Sequence, residues 1–498
     1  MNEPIRPFLI AATLVLAPAT ATAQTRPLDT DQALAMAMAH PGLCEASHQS
    51  AQAAARVRSE QAVRPLTLGA DAGASHQRIP TLAVGGVTTP TTDAVTIGAD
   101  LDKTFAWGTR VGVRVETRYQ RTAIPISPGA QQQLELGPGY GVTARLSLEQ
   151  PLLRGAGTDV AEAELDARRS EHEAVQNDAE GRRRAVLRDA LVGYYELWFA
   201  QEALRIERAA SDLADEELTA ARARIDLGSL AASELSELLT QRAERREAVA
   251  SAELGLRQRA LELGWRLGSD DGAAYRAASR PPLPPVMGQR SVDGATRRAL
   301  RSSPVLAALE AQRKAAAQRM RRAGDSDRPR LDLAGWVQGD GLGHRDASPA
   351  LEQFGTFAAV SAQIGLRFEA PVTGSRHDAE RTAARREVAG IAARLEAQRQ
   401  QIATDARLLV ERAGTAKVRL GLARATVATA REALTATRER HRAGEAIALE
   451  IRRAIDAVRR AELRAQRLRV DWAIADTALR ALTGEPLTGR RLPAAHCR

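Results

Sequence analysis

The feature that most restricts the fold of this chain is a unit that occurs twice. Gly228 and Gly444 are 216 residues apart, and so are Gly268 and Gly484. In each half the first glycine ends an Arg-x-x-x-Gly motif, and the second follows a further long apolar/charged run. Repetition with one offset indicates tandem copies of one architecture, rather than the several unrelated domains that a chain of 498 residues could contain.

A proline marks the same place in both copies. An alternating apolar/polar run ends at Pro151 in the first copy and at Pro371 in the second, and a long run rich in Ala, Arg and Glu follows each. The change of period predicts a switch from strand to helix at these prolines. The expected boundaries are 24–268 for the first repeat, 269–294 for a Pro-rich linker, 295–484 for the second repeat and 485–498 for a C-terminal tail.

Residues 1–23 have the composition of a secretory signal peptide. Arg6 precedes an apolar core from Phe8 to Leu16, and an Ala-Thr-Ala site ends at Ala23. The core is much shorter than the roughly 20 residues of a membrane-spanning helix. We therefore expect the segment to be cleaved and the mature chain to be exported.

Strands are expected at about 66–150 and 330–369. Val142, Ala144 and the apolar residues that follow alternate with polar ones such as Arg145 and Glu149. Strands of about ten residues with one apolar and one charged face suit a membrane barrel, although a soluble sandwich shows the same alternation. Because an open sheet edge cannot lie in lipid, several copies of the chain would have to share one barrel.

The number of strands differs between the halves. Four alternating segments occur between Pro65 and Pro151, but only two occur between Pro329 and Pro371. The extra hairpin, around Trp107, either lengthens an extracellular loop or widens the barrel to eighteen strands, counted as three copies of six. Of the two, we favour twelve core strands with extended hairpins.

Very long helices are expected at about 152–268 and 372–484. No proline interrupts the 77 residues from Pro151 to Gly228 or the 73 residues from Pro371 to Gly444. A continuous helix of this length would reach roughly 110 Å and would need neighbours, as in an antiparallel coiled coil. One apolar stripe suited to such packing consists of Leu187, Leu191, Tyr194 and Trp198.

Composition and motifs argue against several functions and leave the pairing of the two cysteines open. The net charge of +9 does not predict nucleic-acid binding, because arginines alternate with acids along the helices and aromatic residues make up only 3% of the chain. No nucleophile elbow, P-loop or histidine metal spacing occurs, so we expect no enzyme, metal or cofactor. Cys44 and Cys497 form a disulfide or remain two thiols.

The order of these features resembles the TolC-type outer membrane efflux protein family, from about Asp29 to Gly484. The pieces that carry the resemblance are QPLLRG at 150–155, YELWFAQEAL at 195–204 and the two Arg-x-x-x-Gly turns. The resemblance implies an α+β membrane protein: a homotrimer with a transmembrane β-barrel in the cell outer membrane, continued by an α-helical coiled-coil tunnel in the periplasm. It implies a passive exit duct that works with a periplasmic adaptor and an inner-membrane transporter of the RND, ABC or MFS type.

The resemblance also suggests site residues. The two turns match the family's periplasmic tip, which makes Arg224, Gly228, Arg440 and Gly444 candidates for adaptor contact. Glu450 matches an acid at the narrow throat, and Glu234 is its counterpart in the first copy. The family member compared has a second acid where this chain has Arg453, which suggests a Glu450–Arg453 pair between subunits.

One alternative function remains, and three properties of the duct stay open. A periplasmic coiled-coil scaffold or adaptor without a membrane barrel would also combine strands and long helices. The sequence does not indicate the cargo, the particular pump or the resting state of the duct.

Overall fold

The computed structural model describes residues 26–83, 86–126, 132–227, 233–269, 275–283, 291–370, 376–443 and 445–488. In chain order the elements are β1 (Arg26–Leu28), α1 (Thr30–Ala37), α2 (Pro41–Gln61), β2 (Leu66–Arg78), β3 (Thr81–Ala83), β4 (Gly86–Thr88), β5 (Thr91–Thr104), β6 (Arg110–Pro125), β7 (Gln133–Pro151), α3 (Thr158–Ala161), α4 (Ala163–Asp226), α5 (Ser233–Arg266), β8 (Tyr275–Ala277), α6 (Val292–Ser302), α7 (Pro304–Ser326), β9 (Arg330–His344), α8 (Ser348–Gly355), β10 (Ala359–Glu369), α9 (Arg376–Arg442) and α10 (Ala448–Thr483). The chain divides into two compact units, Met1–Cys44 with Arg183–Ala299 and Asp405–Arg498, and Glu45–Arg182 with Leu300–Thr404.

The first unit is built on packed helices. Its main core includes the predicted stripe: Leu191 and Tyr194 are buried there with residues of α1, α5 and α10. The prediction that this stripe packs helices together is therefore confirmed. The hydroxyl of Tyr194 also donates to the carbonyl of Ser279 at 2.8 Å, which ties the chain after β8 to α4.

Smaller apolar clusters hold the helix pairs of this unit together. Leu420 and Leu468 are buried with small alanines and Trp472 where α9 packs on α10. Leu218 and Leu238 do the same for α4 and α5. Alanine-rich faces let helices approach closely, so the long helices are stabilised by neighbours rather than by propensity alone.

The second unit contains a six-stranded antiparallel sheet with the order β10-β9-β7-β6-β5-β2. Strands of the first half and of the second half meet where β7 pairs with β9, from Gly139 opposite His344 to Pro151 opposite Asp332. Strands β2 and β10 form the two edges of this sheet.

The two faces of the sheet differ in polarity. One face carries large apolar side chains that are exposed in the single chain, including Leu68 (78%), Ile97 (59%) and Ile364 (78%). On the opposite face Arg114 bonds to Asp71 at 2.9 Å. This arrangement follows directly from the alternation in the sequence.

The hairpin around Trp107 lies inside the sheet, which corrects our preference for four core strands per chain. Strand β5 pairs with β2 and with β6 along its length, so it is an internal strand of the sheet. The turn itself lies beside the strand-to-helix junction: a Cβ on Gly108 would come within 2.9 Å of the Pro151 ring. The hairpin therefore does not lengthen a loop at the far end of the sheet.

At the far end, helix α8 packs on the apolar face of β9. Gly339, Gly341 and Gly343 alternate along this strand, and a Cβ on Gly341 would overlap the carbonyl oxygen of Ala350. The absence of side chains at Gly341 and Gly343 is what lets the helix backbone and the turn before it approach the sheet.

Among the residues that the structure describes, no helix is both long and apolar enough to cross a membrane.

Candidate functional site

The two helical turns predicted to carry function lie in the first unit. Helix α4 ends at Asp226 and α5 begins at Ser233, while α9 ends at Arg442 and α10 begins at Ala448. Four side chains near these ends form what we call the turn cluster: Arg224, Arg440, His441 and Glu450.

A histidine joins one turn to the other. The Nη1 of Arg224 lies 2.8 Å from the Nε2 of His441. The Nδ1 of the same ring lies 2.6 Å from the carbonyl oxygen of Ala446. An arginine can only donate, so Nε2 accepts from Arg224 and Nδ1 donates to the carbonyl of Ala446 in this arrangement.

The throat candidate Glu450 forms an ion pair within its own chain. Its carboxylate lies 3.1 Å from the guanidinium of Arg440, across the turn between α9 and α10. Arg453 is exposed, and the described part of the chain offers it no ion-pair partner. A Glu450–Arg453 contact between subunits stays a prediction.

Helix α10 is also tied to α5 near the turns. Arg452 contacts Glu237 at 2.6 Å. The hydrogen bond from this arginine lowers the pKa of Glu237 below its usual value of 4.5. Nearby on α4, burial raises the pKa of Glu217. Glu237, which contacts a second helix through Arg452, is thus held in its charged form more firmly than Glu217 is.

Further ion pairs join α10 to the helices of the first half. Arg459 contacts Glu207 on α4 at 2.7 Å, and Arg467 contacts Glu196 on the same helix at 2.8 Å. Arg245 on α5 bonds to the carboxylate of Asp456. Because Glu207 is 7% exposed, removal of its partner would leave a buried charge uncompensated.

The strand-to-helix junction at Pro151 is organised by hydrogen bonds in the second unit. The amide of Leu152 donates to the carbonyl of Leu331 at 2.7 Å, which continues the sheet for one residue. The amide of Gly155 donates to the buried carboxylate of Asp325 at 2.6 Å. Gly155 has φ 81°, a conformation that favours glycine and lets the chain turn into α3 and α4.

Several predicted positions fall outside the described residues. These are Gly228, Gly444, Pro371, Cys497 and the side chain of Glu234. Cys44 takes part in a disulfide, but its pairing with Cys497 stays a prediction.

Sequence reasoning missed three features of the turns. It passed over His441, whose counterpart at the 216-residue offset is Ile225, so the difference between the copies was visible. It also passed over the cross-helix partner Glu237. Finally, Leu227 (82% exposed) and Ile447 (62% exposed) present apolar side chains beside the turns.

Within the described segments, no group of three or more His, Cys, Asp or Glu residues could hold a metal ion.

Comparisons with known proteins agree with this architecture. Residues 295–485 match the family model described as outer membrane efflux protein. Comparison with curated protein sequences gives no match.

Several solved structures share the fold. A membrane protein from Pseudomonas aeruginosa matches with a TM-score of 0.67 and 18% identity, covering 91% of this chain and 92% of that chain. The outer membrane protein VceC from Vibrio cholerae matches with a TM-score of 0.65 and 16% identity, covering 92% of this chain and 97% of that chain. The CmeC outer membrane channel of Campylobacter jejuni matches with a TM-score of 0.62 and 15% identity, covering 97% of this chain and 93% of that chain. Together with the matched segment, these likenesses confirm the resemblance to TolC-type outer membrane efflux proteins.

Proposed function

We propose that this protein is the outer membrane exit duct of a tripartite efflux or type I secretion system. Its sheet would lie in the outer membrane and its long helices would line a tunnel in the periplasm. Substrates would be delivered by an inner-membrane transporter and a periplasmic adaptor, and would pass through without chemical change.

The observation that carries the proposal is the apolar face to which all six strands contribute, and which α8 covers on β9 near Gly341. From Val111 to Tyr119 on β6, eight steps of about 3.4 Å extend the face by about 27 Å along the strand; at a strand tilt of about 40° this spans about 21 Å of membrane thickness, close to the roughly 25 Å apolar band of membrane barrels. Tyr119 and Tyr140 pack edge to face, 5.3 Å apart, at the end of this stretch. Beyond them His76 bonds to Asp93 at 2.6 Å, as expected where lipid gives way to water.

The two sheet edges support assembly from several copies. Among the described residues, β2 and β10 each have one neighbouring strand, and they run in opposite directions because the six strands alternate in direction. The β2 edge of one copy can therefore pair antiparallel with the β10 edge of the next. Three copies of six strands would close a barrel of eighteen and leave no edge exposed to lipid.

The charged face would then line the duct. Its ions are largely paired: Arg114 lies 2.9 Å from Asp71, 3.6 Å from Asp100 and 3.3 Å from Glu116. Because neighbouring charges of opposite sign cancel at a distance, this part of the lumen would not select strongly by charge. Selection would fall to the turns and to the partner transporter.

The turn cluster is proposed as the periplasmic entrance and adaptor contact. Arg224 and Arg440 offer charge there, while Leu227 and Ile447 offer exposed apolar contacts. Apolar anchors with a polar surround are the usual composition of a protein interface.

Membrane fractionation of the full chain tests the proposal. We expect trimers in the outer membrane fraction whose migration on SDS gels changes on heating. Ile97→Glu should reduce this fraction strongly, because a charge would face lipid. Thr96→Glu is the matched control, since the same charge on the next residue would face the lumen. A soluble periplasmic monomer would contradict the duct and favour a coiled-coil scaffold.

A further inference from the structure

A small cavity in the first unit is surrounded mainly by positive charge. Its volume is about 140 Å³, roughly the space of five water molecules. The arginines that line it come from α4, the chain after β8, α9 and α10: Arg205, Arg280, Arg424, Arg431 and Arg469.

Only two of these arginines have a carboxylate partner among the described residues. Arg431 bonds to Glu462 at 3.0 Å, and Arg205 bonds to Glu202 at 3.0 Å. For Arg280, Arg424 and Arg469, the described residues provide no ion pair. The cavity thus brings together three guanidinium groups that form no ion pair with the described residues. The one carboxylate in its lining, Glu462, is already paired with Arg431, and Arg280 also lies over the Trp198 ring at 5.9 Å.

Arg469 is the most constrained member of the group. It is 7% exposed, and its Nε donates to the carbonyl of Pro281 at 3.2 Å. That bond leaves the two terminal amino groups without an acceptor among the described residues. Burial lowers the pKa of Arg469 to about 10, and the charges of Arg280 and Arg424 act in the same direction.

We propose that Arg280, Arg424 and Arg469 bind a small oxyanion in this cavity, with the size and charge of inorganic phosphate. A guanidinium group presents parallel N–H donors that match the oxygens of phosphate or carboxylate. The cavity has room for a group of about five heavy atoms.

The bound anion would join three separate segments of the unit. Arg280 lies within the predicted Pro-rich linker (269–294), Arg424 lies on α9 and Arg469 lies on α10. One anion shared among them would hold the linker segment against both helices. This inference concerns a single unit, so it does not depend on the proposed function.

Titration calorimetry on the full-length, detergent-solubilised protein tests the site. Sodium phosphate is titrated into buffer in which sodium chloride keeps the ionic strength constant. We expect saturable binding near one phosphate per chain. Arg424→Gln and Arg280→Gln should each weaken it by about tenfold or more, because each removes a charge-assisted hydrogen bond.

Arg412→Gln is the matched control, since Arg412 is an exposed arginine on α9 outside the cavity lining. Its affinity for phosphate should match that of the wild-type protein. The exposed positions Arg280 and Arg424 keep the test available even if Arg469→Gln fails to fold.

Three results would overturn the proposal. One is the absence of saturable binding above the chloride background, and another is an Arg424→Gln variant that binds phosphate as well as Arg412→Gln does. The third is loss of subunit association in Arg424→Gln without any phosphate effect, which would assign the arginines to a carboxylate of a second copy.

Discussion

The ion pair between Arg440 and Glu450 offers the sharpest test of a gate at the turns. Its side chains lie 3.1 Å apart and are 52% and 42% exposed. A pair this exposed contributes about 0.2 to 1 kcal/mol, because water screens it and two long side chains must be ordered. If the pair is present in the closed turn and absent from the open one, Arg440→Ala or Glu450→Ala should remove that contribution from the closed state.

The effect is multiplied if the copies of an assembled trimer open together. Three pairs would then contribute about 0.6 to 3 kcal/mol, which corresponds to a change of about 3-fold to 150-fold in the opening equilibrium. Single-channel recording in planar lipid bilayers measures this as a rise in open probability. The rise should shrink in high salt, since salt screens the pair in the wild-type protein as well.

Two further variants distinguish this pair from a contact made by Arg453. The double variant Arg440→Glu, Glu450→Arg reverses both charges and should restore wild-type behaviour. Arg453→Ala tests the predicted contact between subunits separately, because the described residues provide Arg453 with no ion pair and its loss leaves the Arg440–Glu450 pair in place. Unchanged open probability in both Arg440→Ala and Glu450→Ala would refute the assignment. If Arg453→Ala alone opened the channel, a contact between subunits would take its place.

Three other perturbations test separate parts of the structure. Gly341→Leu should displace α8 from the sheet at a cost of about 1 to 3 kcal/mol. The assembled trimer should then dissociate at a lower temperature on SDS gels. Gly365→Leu is the control and should have little effect in the same assay, because a Cβ at Gly365 meets nothing within 4 Å. Leu263→Ala, at a fully buried position, should cost about 2 to 5 kcal/mol and reduce the assembled protein recovered, whereas Leu261→Ala, at a position 63% exposed, should not. The pKa of Glu237 is lowered, so its contribution to stability is complete above pH 4.5 and is lost as pH falls through the lower value; acid should therefore reduce the heat stability of the wild-type assembly by more than that of Glu237→Gln, in the same gel assay.

Periodicity in the sequence predicted the elements of this fold well. The switch of period at Pro151 coincides with the end of β7, and Tyr194 lies fully buried as its helical stripe required. Both inferences depend on which face of a helix or strand is apolar. The spacing of apolar residues within the segment determines that face, so the sequence is sufficient to predict it.

The place of the Trp107 hairpin could not be read in the same way. Alternation shows that a segment is a strand but does not show which strands it pairs with. The pairing of β5 along its whole length is a tertiary result, and it places the turn beside Pro151 rather than at the opposite end of the sheet.

The partners within the turn cluster were also beyond sequence reasoning. Helical spacing favours partners three or four residues away, whereas Glu450 pairs with Arg440 ten residues earlier. The geometry of the turn brings them together. The contact between Arg224 and His441 joins residues 217 positions apart, which only the folded chain can show.

Cross-linking of the two sheet edges in isolated outer membranes tests the central claim most directly. One cysteine replaces Ile364 on β10, and a panel of single cysteines on the same face of β2 replaces Leu68, Ala70, Ala72 or Ala74 in turn, in a background without Cys44 and Cys497. If copies of this chain close one barrel through these edges, at least one member of the panel should form covalent dimers and trimers on oxidation. Failure of every pair, with the protein present in the outer membrane, would contradict the account.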